Sequence, residues 1–247
     1  MVQMTARRID PPPPYPSRQG TGLFESFVHA WRGLIHAVVH QRNMRIHILA
    51  GILVGLVGMG IPLGLAEKVT LVFCVLLIFF AEILNSALEQ LVDLAVEQVH
   101  EKARLAKDAA AAGVLVLAIG TVVIFVAIVV HNWHTVVSHT EQIERQVALG
   151  VPFTVCAGIL MMPNPRGLWA DVALFGIGCA LLFALARRSE SLVFTAMTFG
   201  LLIVAGDASR SRRRTRTRAL RLKRDAPAET GLPPRKEPSF PTRAGQP

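Results

Sequence analysis

The sequence predicts an all-α integral membrane protein: a helical bundle with an N-terminal amphipathic surface helix, a three-span unit and about three additional spans. Composition is the first observation, because 52% of the 247 residues are hydrophobic, 17% are charged and the mean hydropathy is +0.45. Such values are typical of membrane proteins. The second is a series of apolar runs whose lengths approach the roughly 20 residues of a spanning helix. The third is positive charge that gathers between alternate runs.

The segment before the first apolar run divides into two parts. Residues 1–22 are polar and Pro-rich and predict a disordered leader without a secretory signal. In residues 23–40, apolar side chains recur at steps of three and four, with polar side chains on the other side. This pattern predicts an amphipathic helix lying in the membrane interface. An amphipathic helix packed on the bundle is the alternative.

Six apolar segments follow, and they define the predicted domains. The first three spans are expected at about residues 46–65, 69–88 and 109–130. The second continues as a helix toward Glu97, and a short polar loop, HEKARLAKD, leads to the third. Three further segments are expected at about 147–162, 168–186 and 191–205. The predicted units are therefore a three-span unit at 23–130, an outer connector at 131–146, additional spans at 147–206 and a basic, Pro-rich tail at 207–247.

The distribution of Lys and Arg predicts the orientation. Six Arg lie between the N-terminus and Arg45, and three basic residues follow the second span, whereas Lys68 alone lies between the first two spans. The positive-inside rule places the N-terminus and the loop after the second span in the cytoplasm. With six spans, the basic tail is cytoplasmic too.

The C-terminal tail holds nearly all of the net charge of +9, since twelve Lys/Arg and four Asp/Glu occur from Asp207 onward. We expect the tail to be disordered and to hold anionic lipid headgroups; a solubilising tail is the alternative. No nucleic-acid partner is expected, because the sequence shows no folded binding module and no aromatic residues among the basic ones.

A polar row crosses the end of the second span: Glu82, Asn85, Glu89 and Asp93. Steps of three, four and four place these side chains within about one 80° sector of a helix. A span of sufficient length must continue to about Leu88, which draws Glu82 and Asn85 inside the hydrocarbon boundary and leaves the other two near water. Carboxylates at such depths are usually functional.

This row suits a reaction between a lipid and a soluble substrate. A carboxylate near water can ligate Mg²⁺, and Lys107 in the following loop can neutralise phosphate. A deeper carboxylate can take a proton from a lipid hydroxyl. These roles describe phosphoryl transfer from ATP to a membrane alcohol, although the chain lacks GxxxxGK[ST] and the protein-kinase motifs.

The segments AEILNSALEQLVDL and ARLAKDAAAAGVL, with WRGL and RNMRIH upstream, closely resemble the small bacterial membrane lipid kinases over about residues 22–130. That family contains the prokaryotic diacylglycerol kinases and undecaprenol kinases. The resemblance implies a homotrimer of three-span subunits in the bacterial inner membrane, with active sites at subunit contacts near the cytoplasmic face. Diacylglycerol and undecaprenol both remain open as the lipid alcohol.

The resemblance also implies site residues. Glu82 would be the general base, Asn85 would orient it or the substrate hydroxyl, and Glu89 would ligate Mg²⁺. The residues implied to contact ATP are Glu89, Asp93, His100, Lys107 and Asp108. Trp31, Asn43 and Arg45 would line the access of lipid and nucleotide, and Glu82 would meet the lipid hydroxyl.

One position departs from the family pattern. The family often has a Glu as a second metal ligand where this chain has Gln41. A Gln carbonyl can coordinate Mg²⁺ but brings no charge. A catalytically weak or inactive scaffold of the same fold is therefore an alternative function. A transporter that uses the acidic row as an ion path is another, but the chain lacks inverted repeat symmetry.

The remaining features have simpler interpretations. The three cysteines are expected to pack in apolar runs, and the histidines at 131, 134 and 139 match no strict zinc spacing. Gly51, Gly55 and Gly58 form a small-residue ridge suited to close helix packing. The additional spans lack a comparable polar row and are expected to serve in anchoring or protein contact.

Overall fold

A computed structural model describes residues 22–95, 100–163 and 166–225. Every regular element in these ranges is an α-helix, which confirms the predicted all-α fold. The helices are α1 Leu23–His40, α2 Arg42–Gly60, α3 Leu65–Ala95, α4 Glu101–His131, α5 Trp133–Ser138, α6 Thr140–Met161, α7 Leu168–Ala186 and α8 Leu192–Asp225. Six of them, α2, α3, α4, α6, α7 and α8, are long and apolar enough to cross a membrane, so the chain is a multi-pass membrane protein.

The two halves of α1 have different surroundings. Its C-terminal half is packed in the bundle, where Ile35 and Val38 are buried. Its N-terminal half leaves Phe24 and Phe27 exposed. The N-terminal half of α1 therefore keeps an uncovered apolar face suited to the membrane interface. The C-terminal half instead packs on the bundle, which was the alternative interpretation of this helix.

Helix α2 lies at the centre of the bundle, against α1, α3, α6 and α8. The glycine ridge supports the close helix packing predicted for it, and the helix that approaches is α8. A Cβ added at Gly58 would collide with the ring of Phe194, and one added at Gly55 would collide with the hydroxyl of Thr198. Small residues let the backbones of two spanning helices come near each other, which increases van der Waals contact. The hydrophobic core accordingly includes residues from both halves of the chain.

Helix α4 lies at the side of the bundle and packs mainly against α3. Val114 is its one fully buried residue, and its other large apolar side chains are largely uncovered. An apolar surface of this extent must face lipid or another subunit.

Three polar segments outside the predicted spans are helical. The prediction of a polar loop after the second span is wrong from Glu101 onward, where α4 begins. This stretch is helical because it is rich in Ala, Leu, Lys and Arg, which favour helices. The connector at 131–146 contains α5 and the start of α6. The disorder predicted for the basic tail is wrong up to Asp225, the end of α8. The continuation of the second span is helical as far as Ala95, as predicted. Its last two residues, 96 and 97, the leader up to residue 21 and the tail from 226 lie outside the described residues.

Candidate functional site

The polar row lies on one face of α3, and its burial falls toward the end of the helix. Glu82 is 1% exposed and Asn85 is 6% exposed, whereas Glu89 is half-buried and Asp93 is exposed. The helix is 31 residues long, about 46 Å, so it exceeds the roughly 30 Å hydrocarbon core. The predicted division of the row between a buried and a water-exposed part agrees with this gradient.

Two amide side chains bind the carboxylate of Glu89. Asn85 donates from Nδ2 to Oε1 at 3.4 Å, and Gln41 donates from Nε2 to Oε2 at 3.3 Å. Gln41 is the extended residue between α1 and α2, and its backbone N–H donates to Ala37 O. The break between these helices therefore directs Gln41 at α3. The two residues that the resemblance implies as metal ligands are therefore in direct hydrogen-bond contact with each other.

Three buried oxygens beside this carboxylate have no hydrogen-bond partner in the described part of the chain. They are Glu82 Oε2, Asn85 Oδ1 and Ser86 Oγ. Leaving such groups unpaired costs on the order of 1–3 kcal/mol each, so buried oxygens of this kind are suited to a ligand that supplies a hydroxyl or a cation.

The side-chain oxygens of this polar row are suitable ligands for a magnesium ion that arrives with a nucleotide. Within the described ranges, no three His, Cys, Asp or Glu side chains are arranged to hold a metal. Mg²⁺ at nucleotide sites is usually bound by one or two carboxylates, substrate phosphates and waters, rather than by a complete protein cage. The half-buried carboxylate of Glu89, with the unpaired oxygens of Asn85 and Glu82 on the same face, meets this requirement.

The residues predicted to contact nucleotide lie where α3 ends and α4 begins. Lys107 on α4 forms an ion pair with Asp93 on α3, which joins the two helices near the polar row. Asp108 instead pairs with Arg104 one turn earlier, at 3.3 Å. His100 is the N-cap of α4, and its Nδ1 accepts from the backbone N–H of Lys102 at 3.2 Å.

The residues predicted to line the lipid access do not form one cluster with Glu82. Trp31 is turned toward α8 and donates its indole N–H to Asp207 Oδ2 at 2.9 Å. Asn43 is exposed on the first turn of α2. Arg45 donates to Val39 O at 3.5 Å, across the break that carries Gln41.

This end of the bundle is positively charged. The pKa of His40 is lowered, first by burial of the ring and then by the charges of His36, Arg212 and Arg45. Arg45 of α2 and Arg212 of α8 thus meet beside the end of α1, where a phosphate would also be attracted.

Sequence reasoning overlooked Ser86, Asp207 and Arg212. Ser86 follows Glu82 by four residues and lies on the same face, so helical spacing could have revealed it. Asp207 binds Trp31, and Arg212 donates to the backbone oxygens of Val38 and Met161. No local signal predicts these contacts, because they join helices far apart in the sequence.

Comparison with known proteins places this site in a family. The sequence model of the prokaryotic diacylglycerol kinase family matches residues 28–129. Over 97 residues the chain is 37% identical to the undecaprenol kinase of Bacillus subtilis, covering 39% of this chain and 79% of that relative. The chain belongs to the prokaryotic diacylglycerol kinase family.

Two further relatives are named diacylglycerol kinase. The Synechocystis protein is 41% identical over 103 residues, which cover 41% of this chain and 59% of the relative. The protein of Escherichia coli K12 is 30% identical over 103 residues, which cover 42% and 84% respectively. No solved structure matches the chain significantly.

These findings confirm the family resemblance and the enzyme class, a lipid kinase. ATP is the co-substrate that a kinase family implies. The family match contains the whole polar row and ends before α5, so α6–α8 lie outside it.

Proposed function

We propose that the chain phosphorylates a membrane lipid alcohol with ATP at the cytoplasmic membrane face. One observation carries this proposal: Glu82 is a fully buried carboxylate with an unpaired oxygen, aligned on one helix with Glu89 nearer the water. A lipid hydroxyl can approach the first group, and a nucleotide can approach the second. Phosphoryl transfer requires both substrates to meet in line.

Glu82 acts as the general base in this reaction. Its unpaired oxygen accepts the proton of the lipid hydroxyl as that oxygen bonds to the γ-phosphorus of ATP, and the bond from this phosphorus to the β-phosphate oxygen breaks, releasing ADP. The amide of Asn85, held by Glu89, orients the carboxylate or the hydroxyl. Burial of Glu82 keeps water from competing as the acceptor.

Glu89 and Gln41 are the proposed ligands of Mg²⁺. When bound, the ion neutralises charge on the phosphates of ATP. Glu89 would supply an anionic oxygen, and Gln41, whose Nε2 donates to Glu89 from the α1–α2 break, would supply its neutral amide oxygen. Lys107, Asp93, His100 and Asp108 are proposed to hold the nucleotide at the adjoining ends of α3 and α4, while Trp31, Asn43 and Arg45 are proposed along the access of lipid and nucleotide.

The acceptor alcohol is diacylglycerol or undecaprenol. The relatives include proteins named diacylglycerol kinase and undecaprenol kinase. Both lipids carry a hydroxyl, which is the group that the polar row on α3 is proposed to bind. We further propose a homotrimer with shared sites, which the uncovered apolar side chains of α4 support. The location is the bacterial inner membrane, with the N-terminus cytoplasmic and with anionic headgroups at the basic end of α8.

Gln41 favours a second candidate, a weak or inactive scaffold of the same fold. This residue places a neutral amide against Glu89 where the family often has an acid. Loss of one anionic ligand weakens binding of a divalent cation.

A lipid phosphorylation assay distinguishes the two candidates. The purified full chain in lipid is incubated with labelled ATP, Mg²⁺ and each alcohol, beside Glu82→Gln and a matched control, Glu67→Gln, at the other end of α3. We expect a labelled lipid from the wild type and from the control, and a loss of at least about 100-fold in Glu82→Gln, as for a general base. No labelled lipid from either alcohol would overturn the kinase proposal, and full activity in Glu82→Gln would reject its base.

A further inference from the structure

A cavity lined by arginines lies outside the residues that match the kinase family. It has a volume of about 300 Å³ and is formed where α6 ends, α7 begins and α8 leaves the bundle. Its charged lining is Arg166, Asp171, Arg212, Arg213 and Arg216. The proposed kinase reaction assigns no role to these residues.

The single carboxylate in this lining is already occupied. Asp171 is buried and accepts from Ser209 Oγ at 2.5 Å. Arg166 Nε lies 3.1 Å from one of its oxygens, and Arg213 Nε lies 3.2 Å from the other. Asp171 therefore fixes two guanidinium groups in place, whereas Arg212 and Arg216 have no acidic partner among the described lining residues, and the lining keeps a net excess of three positive charges.

Arg212 also offers an unused donor. Its terminal nitrogens donate to Met161 O and Val38 O, which holds the guanidinium rigidly between α6 and α1. Its Nε is buried and has no hydrogen-bond partner among the described residues. Arg212 as a whole is half-buried, but a buried donor atom without an acceptor is costly unless a ligand supplies the missing acceptor.

The cavity lies at the level expected for lipid headgroups. It opens beside Met162 and Pro163, just past the end of spanning helix α6. Helix α8 is 34 residues long, about 50 Å, so its basic end continues beyond a hydrocarbon core of about 30 Å. An anionic headgroup reaches this depth while its acyl chains stay in the bilayer.

We propose that this cavity binds the phosphate monoester headgroup of a membrane lipid. A monoester carries about −1.5 to −2 charges at neutral pH and three acceptor oxygens, which suits an arginine cluster with excess positive charge. A phosphodiester headgroup brings only one charge and fewer free oxygens. The site is distinct from the polar row on α3, and lipid binding there does not require the proposed kinase activity.

Binding is tested on the full chain in neutral detergent, without ATP. Phosphatidic acid, phosphatidylglycerol and inorganic phosphate are titrated separately, and bound lipid is counted by native mass spectrometry. Arg216→Gln removes an exposed arginine of the cavity, and Arg221→Gln is the matched control, since it removes the same charge farther along α8.

We expect phosphatidic acid to bind more tightly than phosphatidylglycerol, and Arg216→Gln to weaken it about tenfold, as for loss of one charge-assisted hydrogen bond. Arg221→Gln should change its affinity by less than about twofold. Equal losses in the two variants would show a diffuse charge effect and overturn the proposal. Equal affinity for the two lipids would overturn the monoester preference, and displacement of phosphatidic acid by equimolar inorganic phosphate would overturn the lipid as ligand.

Discussion

The indole N–H of Trp31 donates to Asp207 Oδ2 at 2.9 Å and thereby links the family-matched part of the chain to α8. Arg212, five residues farther along α8, donates to Val38 O near the C-terminal end of α1. Gln41 follows immediately after α1. Helix α8 therefore braces the segment that brings Gln41 to Glu89.

The bond between Trp31 and Asp207 should contribute measurable stability. We expect Trp31→Phe and Asp207→Ala to share a coupling energy of about 1 kcal/mol, because either change removes the same partly buried hydrogen bond. Thermal unfolding of both single variants and the double variant in detergent measures this energy. Trp133→Phe with Asp207→Ala is the control pair and should be additive. Additive effects in the Trp31 pair would show that the bond contributes nothing.

Gln41→Glu should make stability dependent on Mg²⁺. The new carboxylate faces Glu89 across a contact that is now a 3.3 Å hydrogen bond, so the two charges repel each other without a cation. We expect a lower melting temperature in EDTA, recovery with Mg²⁺, and half-maximal lipid phosphorylation at a lower Mg²⁺ concentration than in the wild type. Gln90→Glu, on the exposed side of α3, is the control. An unchanged metal dependence would exclude position 41 from the metal site.

The polar row was predictable because spacing on a helix and the thickness of a bilayer are local rules. They were sufficient to place Glu82, Asn85, Glu89 and Asp93 on one helix face, and the burial of the first two agrees with the predicted order by depth. The path of α8 was not predictable in this way. Its Arg-rich sequence resembles a solvated tail, yet Arg212 binds backbone oxygens of α1 and α6, and such contacts depend on helices that are distant in sequence. For the same reason, burial of Trp31 against α8 had no sequence signal.

Lys107 should matter for nucleotide binding because it is the cation paired with Asp93 beside the polar row. We expect Lys107→Met to raise the KM for ATP about tenfold or more, since a charge-assisted bond to phosphate is lost. Lys107→Arg should retain part of the affinity. Lys102→Met removes the same charge from an exposed position of the same helix and serves as the control. Steady-state kinetics at saturating lipid measure the effect, and equal KM values for the two Met variants would remove Lys107 from the nucleotide site.

Two glycines in spanning helices should respond differently to the same substitution, because only one of them is packed against another helix. A Cβ at Gly58 would strike the ring of Phe194, so Gly58→Ala must push α8 away from α2 or move the ring out of its buried position. Overpacking of this kind costs about 1–3 kcal/mol. A Cβ at Gly120 on α4 meets nothing within 4 Å, so Gly120→Ala should be neutral or stabilising by up to about 1 kcal/mol. Thermal unfolding in one detergent compares the two. Gly58 belongs to the family-matched residues and Phe194 does not. A large fall in the melting temperature of Gly58→Ala would therefore show that α2 and α8 unfold as one cooperative unit. Equal melting temperatures for Gly58→Ala and Gly120→Ala would contradict the close packing of these helices.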